Sequence, residues 1–77
     1  MKYRFDDEFL RALRVRGLTA SRVAELAQVA PATVSAAVHG RAVTVTSALR
    51  IARAVTSSPV IPELEQWATA GESRGAA

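Results

Sequence analysis

Apolar positions along most of the chain recur at three- and four-residue spacing, so the pattern predicts helices. In residues 7–16 an apolar stripe of Phe9, Leu10 and Leu13 lies opposite Arg11, Arg14 and Arg16. Asp6 is the expected N-cap, Asp7 and Glu8 put negative charge where the helix dipole favours it, and Phe5 can reach Leu10 as a hydrophobic staple. Gly17 supplies the left-handed residue that ends this helix. A second helix, 19–27, opens on Thr19 and turns Val23, Ala24 and Ala27 inward; small residues there let a neighbouring helix approach closely. Pro31 suits the first turn of a third helix, 31–39, because its missing N–H would have had no partner anyway. Val34, Ala37 and Val38 face inward, and Gly40 closes the helix.

Thr44 is the expected cap of a fourth helix, 45–56, with a stripe of Val45, Ala48, Leu49, Ile51, Ala52 and Val55 and with Arg50 and Arg53 outside. Ser57, Ser58 and Pro59 end it. Pro62 and Glu63 open a fifth helix, 62–70, exposing Leu64 and Trp67 on one side, and residues 71–77 read as a disordered tail. The expectation is a single all-α domain over residues 1–70.

Composition agrees with close-packed helices. The 77 residues include four aromatics (Tyr3, Phe5, Phe9, Trp67), so alanine, valine, leucine and isoleucine must fill the core. With no cysteine there is neither a disulfide framework nor a thiolate metal site, which disfavours a small secreted scaffold. The opening residues lack the apolar run of a signal peptide, and no stretch is long and apolar enough to span a bilayer, so the expectation is a cytoplasmic, nucleoid-associated chain with no membrane partner. Nine arginines to one lysine, with so much alanine, suggest a GC-rich coding genome and hence a bacterium or its phage.

Charge narrows the choice of partner. Residues 9–56 carry seven arginines against one acid, Glu25, whereas residues 57–77 are net negative. A basic field of this kind suits a polyanion, although helix surfaces also carry charge simply for solubility. Enzymatic chemistry is not expected, and no catalytic residue, cofactor or metal site is assigned: there is one histidine, no glycine-rich phosphate loop and no pair of carboxylates set to converge. Asp6, Asp7 and Glu8 point in different directions from a helix start, which already explains them.

Two short helices joined by a tight turn within a basic helical domain match the helix-turn-helix pattern. The run from Gly17 to Gly40, with Gly17-Leu18-Thr19, Ala24, Val29, Thr33-Val34-Ser35 and Gly40 in frame, resembles the phage-repressor (Xre/Cro, lambda-repressor-like) DNA-binding family. Leu49-Arg50-Ile51-Ala52-Arg53-Ala54-Val55 resembles that family's fourth helix, so the likeness covers about residues 9–56. It implies a compact five-helix domain whose third helix enters the major groove, and a repressor-like transcriptional regulator bound to double-stranded DNA as a homodimer.

Carried onto this chain, the base-facing positions are Pro31, Ala32, Thr33, Ser35 and Ala36, none of which can make a bidentate base contact. Ala20, Gln28 and Ala30 depart from the family's usual glutamine, glycine and hydroxyl cap, which weakens the standard clamp. Affinity should then rest on phosphates, with Ser21, Arg22, His39, Arg41, Thr44 and Thr46 as candidates. His39 has a plainer explanation as a residue at a helix C-terminus, and Trp67 as a lid over the core. Leu64 and Trp67 are the candidate dimer contacts. The competing expectation is a protein-interaction module, such as an antitoxin or anti-repressor element, that keeps the fold and engages a protein partner through the uncharged third helix.

Overall fold

The computed structural model describes the backbone of residues 1–73 and the side chains of residues 1–67. Its elements run β1 (Lys2–Tyr3), α1 (Asp7–Val15), α2 (Ala20–Ala27), α3 (Pro31–Val38), β2 (Val43–Thr44), α4 (Val45–Ser57) and α5 (Pro62–Ser73). Helices dominate, as the periodicity predicts. The small antiparallel sheet, with Lys2 opposite Thr44 and Tyr3 opposite Val43, is an addition to the all-α expectation.

Each helix has an identifiable start. The Asp6 carboxylate accepts from the Glu8 N–H at 3.1 Å, Thr19 Oγ1 from Arg22 N–H at 3.1 Å, and Thr44 Oγ1 from Ser47 N–H at 3.2 Å. α3 has Ala30 at its N-cap, so no side chain caps its first amides. Its end is firmer. Gly40 at φ +73° lets its own N–H reach the Ala37 carbonyl and lets Arg41 N–H reach Ala36, a Schellman closure that fixes where the following loop begins. Gly17, at φ +66°, closes α1 in the same manner through Gly17 N–H to Arg14 and Leu18 N–H to Leu13. Between α2 and α3, Gln28 takes the left-handed conformation at φ 58° that glycine adopts more cheaply.

Val23, Val34 and Ile51, one each from α2, α3 and α4, are fully buried and meet at the centre. Phe9 and Leu13 close the core from α1, and Ala24, Ala27, Ala37 and Ala48 are the small contacts that let the helices pack closely. Among the described residues no buried polar side-chain atom lacks a partner.

Five expectations are corrected. Val45 and Leu49 are 40% and 49% exposed and do not belong to the core stripe. Leu49 lies about a third of a turn from the line through Ala48, Ile51 and Val55, on a flank that β1 only partly covers. Phe5 stacks on Phe9 at 4.2 Å, where Leu10 was the expected contact. Trp67, 63% exposed, is no lid on the core, while Leu64 is half-buried with its Cδ1 close to Gly17. The fifth helix extends to Ser73, beyond the expected start of the tail at residue 71, and residues 74–77 lie outside the described part. Arg16, expected on the polar face of α1, bonds back across the fold: its Nε donates to Ser58 O at 3.0 Å and its guanidinium to Ala12 O at 3.1 Å. That bracket, with Ile61 N–H on Val15 O at 2.8 Å, ties the start of α5 to the end of α1.

Among the described residues no helix is long and apolar enough to cross a membrane.

Candidate nucleic-acid interface

α2 packs across α3, with Val23, Ala24 and Ala27 against Val34 and Ala37 in one buried cluster. This leaves the opposite side of α3 outward. Pro31, Ala32 and Ser35 are exposed there, whereas Thr33 and Ala36 are half-buried, Ala36 resting on the core. The five residues expected to face bases therefore divide into three that are fully presented and two that sit in a shoulder of the surface.

That shoulder is an open cleft of about 280 Å³ between α3 and the sheet, lined by Lys2, Ala32, Thr33, Ala36, Ala42, Val43, Thr44 and Ser47. No carboxylate is among its lining residues. The β1–β2 register brings Lys2 beside Thr44, and so a residue 30 positions before Ala32 reaches the outer side of α3. Lys2 was missed from sequence. The alternation of Met1, Tyr3 and Phe5 with Lys2, Arg4 and Asp6, and of Val43 and Val45 with Thr44 and Thr46, is the signal that could have found the pairing, but each run is short and adjoins a helix start.

The expected phosphate-binding groups are placed as follows. Ser21 and Arg22 lie exposed in the first turn of α2; Arg22 also donates to Glu25 Oε1 at 3.1 Å, an exposed pair worth at most about 1 kcal/mol and easily exchanged for a phosphate. Arg41 is exposed in the loop that Gly40 sets, and like Lys2 it makes no ion pair among the described residues. Thr46 is exposed in the first turn of α4.

Two candidates are already engaged. His39 Nδ1 lies 2.8 Å from Ser35 O, so that nitrogen is the proton donor. A neutral ring then keeps only an acceptor at Nε2, and a phosphate contact requires the imidazolium. Thr44 is committed to capping: its Oγ1 accepts from Ser47 N–H and donates to Ser47 Oγ at 3.0 Å. The Ser47 hydroxyl donates to no acceptor among the described residues, so it can turn to an outside acceptor, and it lines the cleft with Lys2. The capping signal at Thr44 was legible; the relay to Ser47 follows from the i, i+3 spacing that the cap imposes.

Arg50 and Arg53 lie elsewhere, along an open depression of about 520 Å³ at the C-terminal end of α2, and Arg50 reaches the Gln28 carbonyl only at 3.5 Å. Among the described residues no group of three metal-ligating side chains converges.

Comparison of the chain with family models, with curated proteins and with solved structures gave no match. The functional reading consequently rests on the surface just described.

Proposed function

We propose that the chain is a helix-turn-helix DNA-binding protein, a small transcriptional regulator of phage-repressor (lambda-repressor-like) type working at the bacterial nucleoid. α3 lies in the major groove of double-stranded DNA. The observation that carries this reading is an outward α3 surface of small, uncharged residues that shares a cleft with Lys2 of β1 and ends beside Arg41, with Arg22 exposed in the first turn of α2. A surface this low allows the helix backbone close to the groove floor, and the surrounding charges meet the two phosphate ridges.

Direct readout on this reading is sparse. Ala32 can touch thymine methyl groups and Ser35 can donate or accept one hydrogen bond, but no side chain on this face forms a bidentate pair. Arg22, Arg41, Ser21 and Thr46 supply contacts that hold orientation without reading sequence. Two copies on a near-palindrome would double the phosphate contacts, and Trp67 is the residue offered for that pairing, since Leu64 is half-buried inside the fold.

The same lack of base-reading side chains favours a second reading, a protein-interaction module that presents α3 to a partner protein. The two separate on amide chemical-shift mapping with a mixed-sequence 20-base-pair duplex in low salt. Groove insertion shifts the amides of residues 31–36 and of Arg41. Amides left unmoved there by saturating duplex would remove the DNA reading.

A further inference from the structure

The cleft between α3 and the sheet has a composition that the helix-turn-helix reading alone does not require. Its lining residues include one cation, Lys2, and the hydroxyls of Thr33, Thr44 and Ser47, with no carboxylate among them. The Thr44 hydroxyl is occupied by capping and donates a hydrogen bond to Ser47 Oγ, while the Ser47 hydroxyl donates to no acceptor among the described residues and can turn outward. Lys2 is exposed and makes no ion pair among the described residues. Its backbone is not loose, however: pairing with Thr44 fixes its position, and the neighbouring Val45 N–H donates to Met1 O at 3.4 Å. A lysine with an anchored backbone that lines the same cleft as hydroxyl groups is complementary to a singly charged oxyanion.

We propose that this cleft is the seat of a DNA backbone phosphate, with Lys2 supplying the charge and Ser47 a hydrogen bond. The inference rests on the DNA-binding reading and adds to it a contact from outside the helix-turn-helix. The sheet is then part of the interface: it brings a cation to the side of α3 where α3 has none. Because the ammonium is a point charge on a flexible stem, the contact fixes register on the duplex without reading a base. A free phosphate shares this chemistry. The cleft is open and continuous with the exposed Ala32 of α3, which favours a phosphate belonging to the duplex that α3 approaches.

The test compares wild type, Lys2→Met, Lys2→Arg, Arg41→Met and Arg53→Met by fluorescence anisotropy on one labelled mixed-sequence duplex between 50 and 200 mM salt. Thermal melts confirm that each variant is folded. Lys2→Met should weaken binding roughly five- to tenfold at the lowest salt and flatten the plot of log K against log salt by about 0.9 for each bound protomer. Lys2→Arg should recover most of both, and Arg53→Met should match wild type. If Lys2→Met keeps wild-type affinity and slope while Arg41→Met loses them, the cleft is not a phosphate seat and the DNA reading stands. No binding by any form, wild type included, overturns both. In a parallel titration, saturable shifts of the Lys2 and Ser47 amides with inorganic phosphate but none with duplex would make this a free-anion site and overturn the backbone assignment.

Discussion

Two glycines in equivalent local roles allow the docking of α5 to be measured. Gly17 and Gly40 both close helices with positive φ, +66° and +73°, so alanine at either must enter the left-handed region, at about 1–2 kcal/mol. The stiffer unfolded chain returns about 0.4–1 kcal/mol, leaving a net loss near 1 kcal/mol for Gly40→Ala, whose new Cβ meets no atom within 4 Å. At Gly17 the Cβ would stand 3.2 Å from Leu64 Cδ1 and 3.3 Å from Ile61 Cδ1. Those methyls end flexible side chains and can yield, so the added cost is the low end of overpacking, about 1 kcal/mol. For a domain of this size 1 kcal/mol moves Tm by about 4–8 °C. Gly40→Ala should therefore lower Tm by about that amount and Gly17→Ala by about twice as much, read by circular dichroism melts and urea titration. Placing Gly17→Ala on a Leu64→Ala background should bring its cost down toward that of Gly40→Ala, because the nearer of the two crowding methyls is gone. Equal losses at the two glycines, unaffected by Leu64→Ala, would refute the docking of α5 on the end of α1.

Other outcomes follow from single residues. Gln28→Gly should raise stability by about 0.5–1 kcal/mol in urea titration, since the left-handed turn between α2 and α3 then costs less; a loss would mean that the turn has another conformation. Ser35→Glu places a carboxylate on the exposed face of α3 without touching the core and should abolish duplex binding at low salt with an unchanged melt; retained binding would take α3 out of the groove. Trp67→Ser should leave the melt nearly unchanged, given its 63% exposure, and should shift a self-associating chain toward monomer in sedimentation equilibrium; an unchanged distribution would free Trp67 of that role.

What the sequence made legible depended on how much chain each feature spans. Val23, Ala24 and Ala27 are buried where the helical period puts them, and Gly17 and Gly40 end their helices because a positive φ is a local demand that glycine meets. Thr19 and Thr44 cap as their positions predict. Features spanning two residues or joining distant segments were not legible. The pairing of Lys2 with Thr44 leaves only short alternating runs beside helix starts and nothing that says the two distant segments meet, so the cleft and its cation were missed, and with them the reason that Thr33 and Ala36 are only half-presented. Leu49 shows the complementary error. Its hydrophobicity fits the stripe, but burial depends on whether a neighbour covers that side of α4, and Tyr3 and Phe5 leave an apolar hollow of about 220 Å³ there.

On the proposed reading, a recognition helix this plain has an energetic consequence. Each bidentate base pair that the side chains on α3 cannot make forgoes about 1–3 kcal/mol of discrimination, and a methyl contact from Ala32 replaces only a part of it. The cations around α3 raise affinity on every sequence alike, so they narrow the ratio of specific to non-specific binding unless something else varies with sequence. Two quantities do: the spacing of half-sites, if two copies bind together, and the energy of fitting the duplex to the fixed positions of Lys2, Arg22 and Arg41. Strand pairing, a helix start and a Schellman-closed loop fix the backbone from which each of these charges extends, which limits how far the duplex can vary and still meet all three. Selection from a random pool should then enrich flexible steps and a fixed spacing more strongly than individual bases under α3. Sharp single-base preferences there would mean that a long side chain reaches the groove from elsewhere in the fold.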